Sequence, residues 1–335
     1  MKVGSFDTDR SVLVVAEIGN NHEGDFARAV ELVRQAARCG VGGVKFQTVR
    51  AAQLVRRAET ARFERLTGFE LSERQFASLS ELAHELGLVF ISTPLSLEAV
   101  RFLEPLVDAY KIASGDNDFF PLLEQVARTR KPVLISTGVS DDDTLAAAVR
   151  CLKNQWDAYG VFEIALLHCV SSYPTPPEQA NLLSIKYFER RWACTVGYSD
   201  HTLGTEAAVL AVAAGAEIIE KHFTLDKNQS DFRDHQLAAD PAEMAELVRR
   251  VRAAESLLGT FGKSIQPCEA ASRTAIRRSI VAARDLKAGA VLAMADLKWI
   301  RPGDGLRPGS EEQIIGRRLK RDVREDDAFS TGDVE

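Results

Sequence analysis

No run of about 18 uninterrupted apolar residues occurs in the 335-residue sequence, so no membrane-spanning helix is expected. The N-terminal stretch MKVGSFDTDR has one early Lys, then acidic residues where a secretory leader would need its apolar segment. Cysteine is sparse: Cys39, Cys151, Cys169, Cys194 and Cys268 are scattered, and none forms a C-x-x-C pair. Five is an odd number, which argues against a fully paired disulfide framework and points to reduced thiols in a cytoplasmic protein. No G-x-G-x-x-G follows the first apolar run, which weakens a dinucleotide-binding reading. Neither sign of charge dominates. Lys and Arg number 42 against 48 Asp and Glu, a formal net charge of −6. That balance excludes a broadly basic nucleic-acid surface but still allows a local basic pocket.

What is present is a rhythm. With 45% apolar residues the chain can offset its conformational entropy, and its length allows one large domain plus a small one. Eight short apolar runs, rich in β-branched residues, recur at 12–18, 43–47, 88–93, 109–114, 132–137, 164–169, 194–199 and 217–223. Their spacing averages roughly 30 residues, the length of a βαβ unit. Between them lie helical patterns. Asp25 is placed to cap a helix carrying Phe26, Ala29, Val30, Val33 and Ala37, with Gly40 as its stop. Further helices are expected over 72–85, 141–153 and 241–258, the last with Pro241 at its first turn. Eight strands alternating with helices predict a (β/α)₈ TIM barrel, with an open doubly wound sheet as the alternative. The domain boundaries read as a barrel over 1–262, a linker over 263–276, and a small module of short strands and turns over 277–335.

In a parallel barrel the chemistry sits at the C-terminal ends of the strands. The runs end in polar residues there: Glu17; Lys45 and Gln47; Thr93; Lys111, Ser114 and Asp116; Ser136 and Thr137; His168, Ser171 and Tyr173; Ser199, Asp200 and His201; Glu220, Lys221 and His222. Lysine is rarely buried without a partner, so Lys45 and Lys111 inside apolar runs suggest an anionic substrate, with Thr93, Ser114 and Ser136 completing the contacts. A Schiff-base lysine is the other chemical reading. His201 and His222 end successive strands. Two imidazoles with open positions suit Mn²⁺, Zn²⁺, Co²⁺ or Fe²⁺ better than Ca²⁺. Asp200 is a candidate outer partner of that pair.

The blocks AEIGNNHEGD (16–25), VKFQT (44–48), ISTP (91–94), YKIASGD (110–116), ISTG (135–138), HCVSSYPTP (168–176), GYSDHTLG (197–204) and IEKHFTLDKN (219–228) resemble the N-acetylneuraminate (sialic acid) synthase family. RRSIVAARDLKAG (277–289) and IRPGDGLRP (300–308) resemble its C-terminal SAF, or antifreeze-like, domain. The resemblance runs in order along nearly the whole chain. It implies condensation of phosphoenolpyruvate with N-acetylmannosamine or a related N-acylated aldose, giving a 3-deoxy nonulosonic acid and phosphate. It implies a divalent metal, Mn²⁺ first and Mg²⁺ or Co²⁺ as alternatives, on His201 and His222. It implies a homodimer whose SAF domain caps the partner's active site, with neither nucleic acid nor membrane as partner. By motif match, Glu17, Lys45, Lys111 and His222 form the catalytic set. Thr93, Ser114, Asp116, Ser136, Ser171 and Ser199 join the substrate-binding set, Tyr173 and Asp234 face the sugar, and Arg301 reaches in from the cap.

Three departures bear on the acceptor. Ser171 stands where many members have Asn. The segment SDFRDH (230–235) is longer than the family's usual loop and replaces two prolines, adding Phe232 and Arg233. The segment 51–71 is Arg-rich and matches only loosely. These departures favour an acceptor other than plain N-acetylmannosamine, with a 2,4-diacetamido-trideoxy hexose as the alternative. A non-catalytic sugar-acid sensor, the remaining class, would have lost the polar strand ends that this chain keeps.

Overall fold

The computed structural model describes residues 1–156 and 163–335. The chain divides into two compact units, Met1–Gly259 and Thr260–Glu335. In the first, eight parallel strands close into a barrel: β1 Leu13–Gly19, β2 Gly43–Thr48, β3 Val89–Pro94, β4 Ala109–Ile112, β5 Val133–Ser136, β6 Ile164–Cys169, β7 Thr195–Asp200 and β8 Ile218–His222. Each pairs with the next in sequence, and β8 returns to β1. The TIM barrel expected from the eight runs is therefore the fold.

Helices alternate with the strands: α1 Phe26–Arg38, α2 Glu73–Glu85, α3 Leu97–Leu103, α4 Phe120–Arg128, α5 Asp142–Trp156, α6 Leu183–Trp192, α7 Glu206–Ala213 and α8 Pro241–Leu258. Their ends follow local chemistry. The Asp25 carboxylate accepts the Arg28 N–H at the start of α1, and Gly40 takes a positive φ just past its end. Ser72 with Gln75 and Asp240 with Glu243 form reciprocal capping boxes at α2 and α8. Asp141 holds the first turn of α5 by accepting the Thr144 N–H. One face of each strand packs on the helices: Val14, Ala16 and Ile18 of β1 meet Leu32 and Val33 of α1 in the larger core.

The other face of each strand points into the barrel. There Leu13, Val15, Val89, Ile91, Ala109, Leu134, Ala165, Leu167 and Ile218 fill the floor, closed underneath by Val3 of a short N-terminal hairpin. Gly43 and Gly197 complete this layer. A Cβ on Gly43 would lie 2.5 Å from a Val89 methyl, and one on Gly197 2.4 Å from a Leu167 methyl. The floor is too tightly filled for any larger residue at those positions.

The second unit has its own core of Ile280, Leu286, Leu292, Leu297, Ile314, Leu319, Val323 and Phe329. Strand β9, Ser279–Ala282, pairs antiparallel with β10, Leu297–Ile300. The segment read as a linker, 263–276, holds a one-turn 3₁₀ helix, Pro267–Glu269, followed by a short helix, Ala270–Ile276.

Candidate active site

Along seven of the eight barrel strands the inward residue changes from apolar to polar one step above the floor, while on β6 the inward series ends in Cys169. On β1 the inward series is Leu13, Val15, Glu17; on β8 it is Ile218, Glu220, His222. The register sets His222 beside Glu17 and Glu17 beside Lys45. The result is a cavity of about 930 Å³ at the C-terminal end of the barrel. Its wall includes Glu17, Lys45, Thr93, Lys111, Ser114, Ser136, Ser171, Tyr173, Ser199, His201, His222 and Asp234. Twelve of the fourteen candidate residues thus converge on one cavity. The other two are Asp116 and Arg301. Asp116 is absent from the lining: it ends the 3₁₀ turn Ser114–Asp116, where residues two apart point in different directions. Arg301 belongs to the second unit, just past β10.

At the bottom of the cavity the lysines are not bare. Lys45 Nζ lies 2.8 Å from Glu17 Oε2 and 3.6 Å from Glu220 Oε2. Lys111 Nζ lies 3.8 Å from Glu220 Oε1 and donates to Ser136 Oγ at 2.6 Å. A contact of about 4 Å at an effective dielectric of 20 is worth roughly 4 kcal/mol, comparable to the several kcal/mol of desolvation per ion. Two carboxylates and one carboxylate therefore give opposite outcomes. Burial works against the Lys45 cation, but Glu17 and Glu220 outweigh it and raise its pKa. For Lys111 burial wins: its pKa falls, with Glu220 supporting the charge and Lys45 opposing it. Burial alone would raise Glu220, yet Lys111 and Lys45 pull its pKa down to about 2, aided by the Ser199 hydroxyl. Glu17 is held on both oxygens, because its Oε1 accepts from Gln47 Nε2 at 2.9 Å. Gln47 accepts in turn from Asn20. Gly19, at φ 52°, follows a register shift in β1 and leaves its neighbour Glu17 room to turn inward.

Opposite this cup stand the two imidazoles, their ring centroids 5.6 Å apart. Tyr173 stacks on His201 at 4.1 Å. His201 Nδ1 donates to the Val170 carbonyl at 2.8 Å, which leaves Nε2 with its lone pair in the neutral ring. Among the described residues the buried His222 Nδ1 has no hydrogen-bond partner, and burial lowers the ring's pKa. A neutral imidazole with an unpartnered buried nitrogen beside a second imidazole fits a transition-metal ion. Among the described residues no cluster of three or more His, Cys, Asp or Glu side chains is arranged for a metal. An ion here would rest on these two rings and on oxygens of whatever it binds.

The mouth is built from the two departing segments. Thr60–Gly68 is a helix, and its Ala61, Arg62, Arg65 and Leu66 face the cavity together with Phe69. Asp231, Phe232, Arg233 and Asp234 face it from the other side. The two segments touch: Phe69 and Phe232 meet edge to face at 5.2 Å. The Arg233 guanidinium lies 4.5 Å above the Tyr173 ring. Gly24, at φ 80°, locks this arrangement, since a Cβ there would sit 2.0 Å from the Gly68 carbonyl oxygen.

Not every polar strand end belongs to the cavity. Ser92, Asp200 and Lys221 occupy the alternate, outward positions and are satisfied there: Ser92 by Thr48 at 2.7 Å, and Asp200 and Lys221 by each other. His168 bonds to the Ala180 carbonyl on the helix side. Conversely, Glu220 is the cup's central carboxylate although the sequence reading did not select it. The two-residue period of a strand, which places Glu220 on the same face as His222, is the signal that identifies it.

A model of the NeuB family matches residues 32–263, and one of the SAF domain matches 277–335. An uncharacterised protein of Methanocaldococcus jannaschii is 44% identical, over 96% of this chain and 94% of its own. N,N'-diacetyllegionaminic acid synthase of Legionella pneumophila is 38% identical over 91% of this chain and 90% of its own. The structure of a sialic acid synthetase from Leptospira borgpetersenii, solved with citrate, superposes with a TM-score of 0.76 at 30% identity. It covers 81% of this chain and 94% of that one.

Proposed function

The chain belongs to the NeuB family and carries a C-terminal SAF domain, and on that premise we propose that it is a nonulosonic acid synthase that joins phosphoenolpyruvate to an N-acylated aldose. The observation that carries this reading is the meeting of Glu17, Lys45, Lys111, His201 and His222 in one cavity. Lys45 and Lys111, with the hydroxyls of Thr93, Ser114 and Ser136, bind the phosphate and carboxylate of phosphoenolpyruvate. C3 of phosphoenolpyruvate forms the new bond to the aldehyde carbon as the C=O π bond opens, and the aldehyde oxygen takes up a proton to become a hydroxyl. The oxygen of a water adds at C2, and the C2–O bond to phosphate breaks as phosphate leaves. Glu17, an acceptor held by Gln47 and Lys45, takes the proton of that water. The lysines stabilise the charge gathering on the departing phosphate. Tyr173 and Asp234 orient the sugar. His201 and His222 are the residues that would hold a divalent ion, Mn²⁺ first, which when bound acts as a Lewis acid towards the aldehyde oxygen.

A second reading concerns the acceptor. Val49, Leu54, Leu66, Phe69, Leu95 and Phe232 make much of the outer wall apolar. Such a wall suits the methyl groups of a 2,4-diacetamido-trideoxy hexose better than the hydroxyls of N-acetylmannosamine. The proposal also includes a homodimer in which the SAF domain of one copy offers Arg301 to the other's site.

The test is phosphate release from phosphoenolpyruvate with a panel comprising N-acetylmannosamine, its 6-phosphate and the diacetamido-trideoxy hexoses, each product weighed by mass spectrometry. Release that needs both an aldose and Mn²⁺, and that stops with a chelator, supports the synthase. Borohydride trapping of substrate on Lys111, with no chelator sensitivity, would replace it by the Schiff-base reading.

A further inference from the structure

Directly behind the two imidazoles lies a buried ion pair that the proposed chemistry does not use. Asp200 precedes His201 at the end of β7, and Lys221 precedes His222 at the end of β8. The parallel register sets Lys221 opposite Asp200. Strand alternation turns His222 into the cavity and Lys221 away from it. Lys221 Nζ meets Asp200 Oδ2 at 2.9 Å, and both side chains are 1% exposed or less. The other Asp200 oxygen accepts from the Thr202 N–H at 2.8 Å and from its hydroxyl at 2.7 Å. Lys221 also donates to the Thr202 carbonyl. The residue following His201 is therefore tied from both sides, and β7 and β8 are cross-linked one residue away from each ring.

Hydrophobic residues of similar volume often serve stability as well as a buried ion pair does. Core packing alone therefore gives no reason for charges here. Geometry does: the pair joins the two backbones whose separation sets the distance between the imidazoles. We propose that Asp200 and Lys221, through Thr202, form a clamp that fixes the spacing and tilt of His201 and His222 for a divalent ion. They are positioning residues, and the proposal rests on the two-histidine metal reading above. Groups that orient metal-bound histidines typically carry about 10–100-fold in metal affinity. Asp200 and Lys221 would act on the strands rather than on the rings, with an effect in that range.

The experiment is a Mn²⁺ titration of the full-length chain followed by electron paramagnetic resonance, without substrate. The neutral double variant D200N/K221M removes both charges together and keeps an oxygen for Thr202. Tyr110→Phe, which deletes a buried hydroxyl bonded to the Val100 carbonyl far from the pair in the strand order, controls for general loosening. The expected result is a Mn²⁺ dissociation constant raised 10–100-fold in D200N/K221M, unchanged in Tyr110→Phe, with metal-free phosphoenolpyruvate binding within twofold of wild type by calorimetry. Mn²⁺ affinity within twofold of wild type in the double variant overturns the clamp. So does an equal loss in Tyr110→Phe, or a parallel loss of phosphoenolpyruvate binding. Wild-type protein that binds no Mn²⁺, or His222→Ala that binds it as tightly as wild type, overturns the two-histidine reading itself, an outcome visible before the double variant is made.

Discussion

Glu220 changes the meaning of both cavity lysines. The lysines were legible in the sequence, because a cation inside an apolar run has few structural explanations. Their counter-charges were not, because only the closed barrel brings Glu220 within reach of Lys45 and Lys111, more than a hundred positions away in sequence. Two outcomes follow at this scale. Glu17→Gln keeps an acceptor for Gln47 but removes the proposed base, so kcat should fall about 10²–10⁴-fold, measured as steady-state phosphate release. The second concerns pH. On the proposed chemistry Lys111 would hold an anion only while protonated, and burial has lowered its pKa below the ordinary lysine value of 10.5. The kcat/KM for phosphoenolpyruvate should therefore decline on an alkaline limb that begins below that value. Glu220 supports the Lys111 charge, so Glu220→Gln should move the limb to still lower pH. A pH profile in which the limb stays in place or moves upward would contradict the assignment.

The elements that shape the mouth were the least legible. The barrel could be read because each strand is buried on both faces and is therefore apolar along its length. The helix Thr60–Gly68 buries none of its residues, so no apolar stripe announces it, and in sequence the stretch 51–71 stands out only as Arg-rich and loosely matched to the family. Its place in the site comes from contacts distant in sequence, with Phe232 and with Gly24. Gly24→Ala tests that docking. The substitution meets the Gly68 carbonyl and holds an alanine at positive φ, which costs at least about 1 kcal/mol. The acceptor KM should rise about tenfold while the phosphoenolpyruvate KM stays within twofold, since one lost contact in such a pocket is worth about 1–3 kcal/mol. Phe232→Ala should give the same split between the two substrates in steady-state kinetics.

At the scale of the molecule, two separately cored units share one chain, and the proposed swap makes a prediction about mixtures. Glu17→Gln and Arg301→Ala are expected to be weak alone. Co-refolded, they should regain activity, because in the mixed dimer one site combines an intact Glu17 with an intact Arg301 from the other copy. No gain on mixing would show that Arg301 serves its own chain or no site at all. The molecule carries a net charge of −6, yet the cup takes no strong sign of its own, since Glu17 and Glu220 answer Lys45 and Lys111. This matters most after the reaction. An anion departing from the cup leaves no bare cation behind, because each lysine has a carboxylate to return to. On the proposed chemistry inorganic phosphate must compete with those carboxylates to linger, so weak product inhibition is the expected result when phosphate is added to steady-state assays.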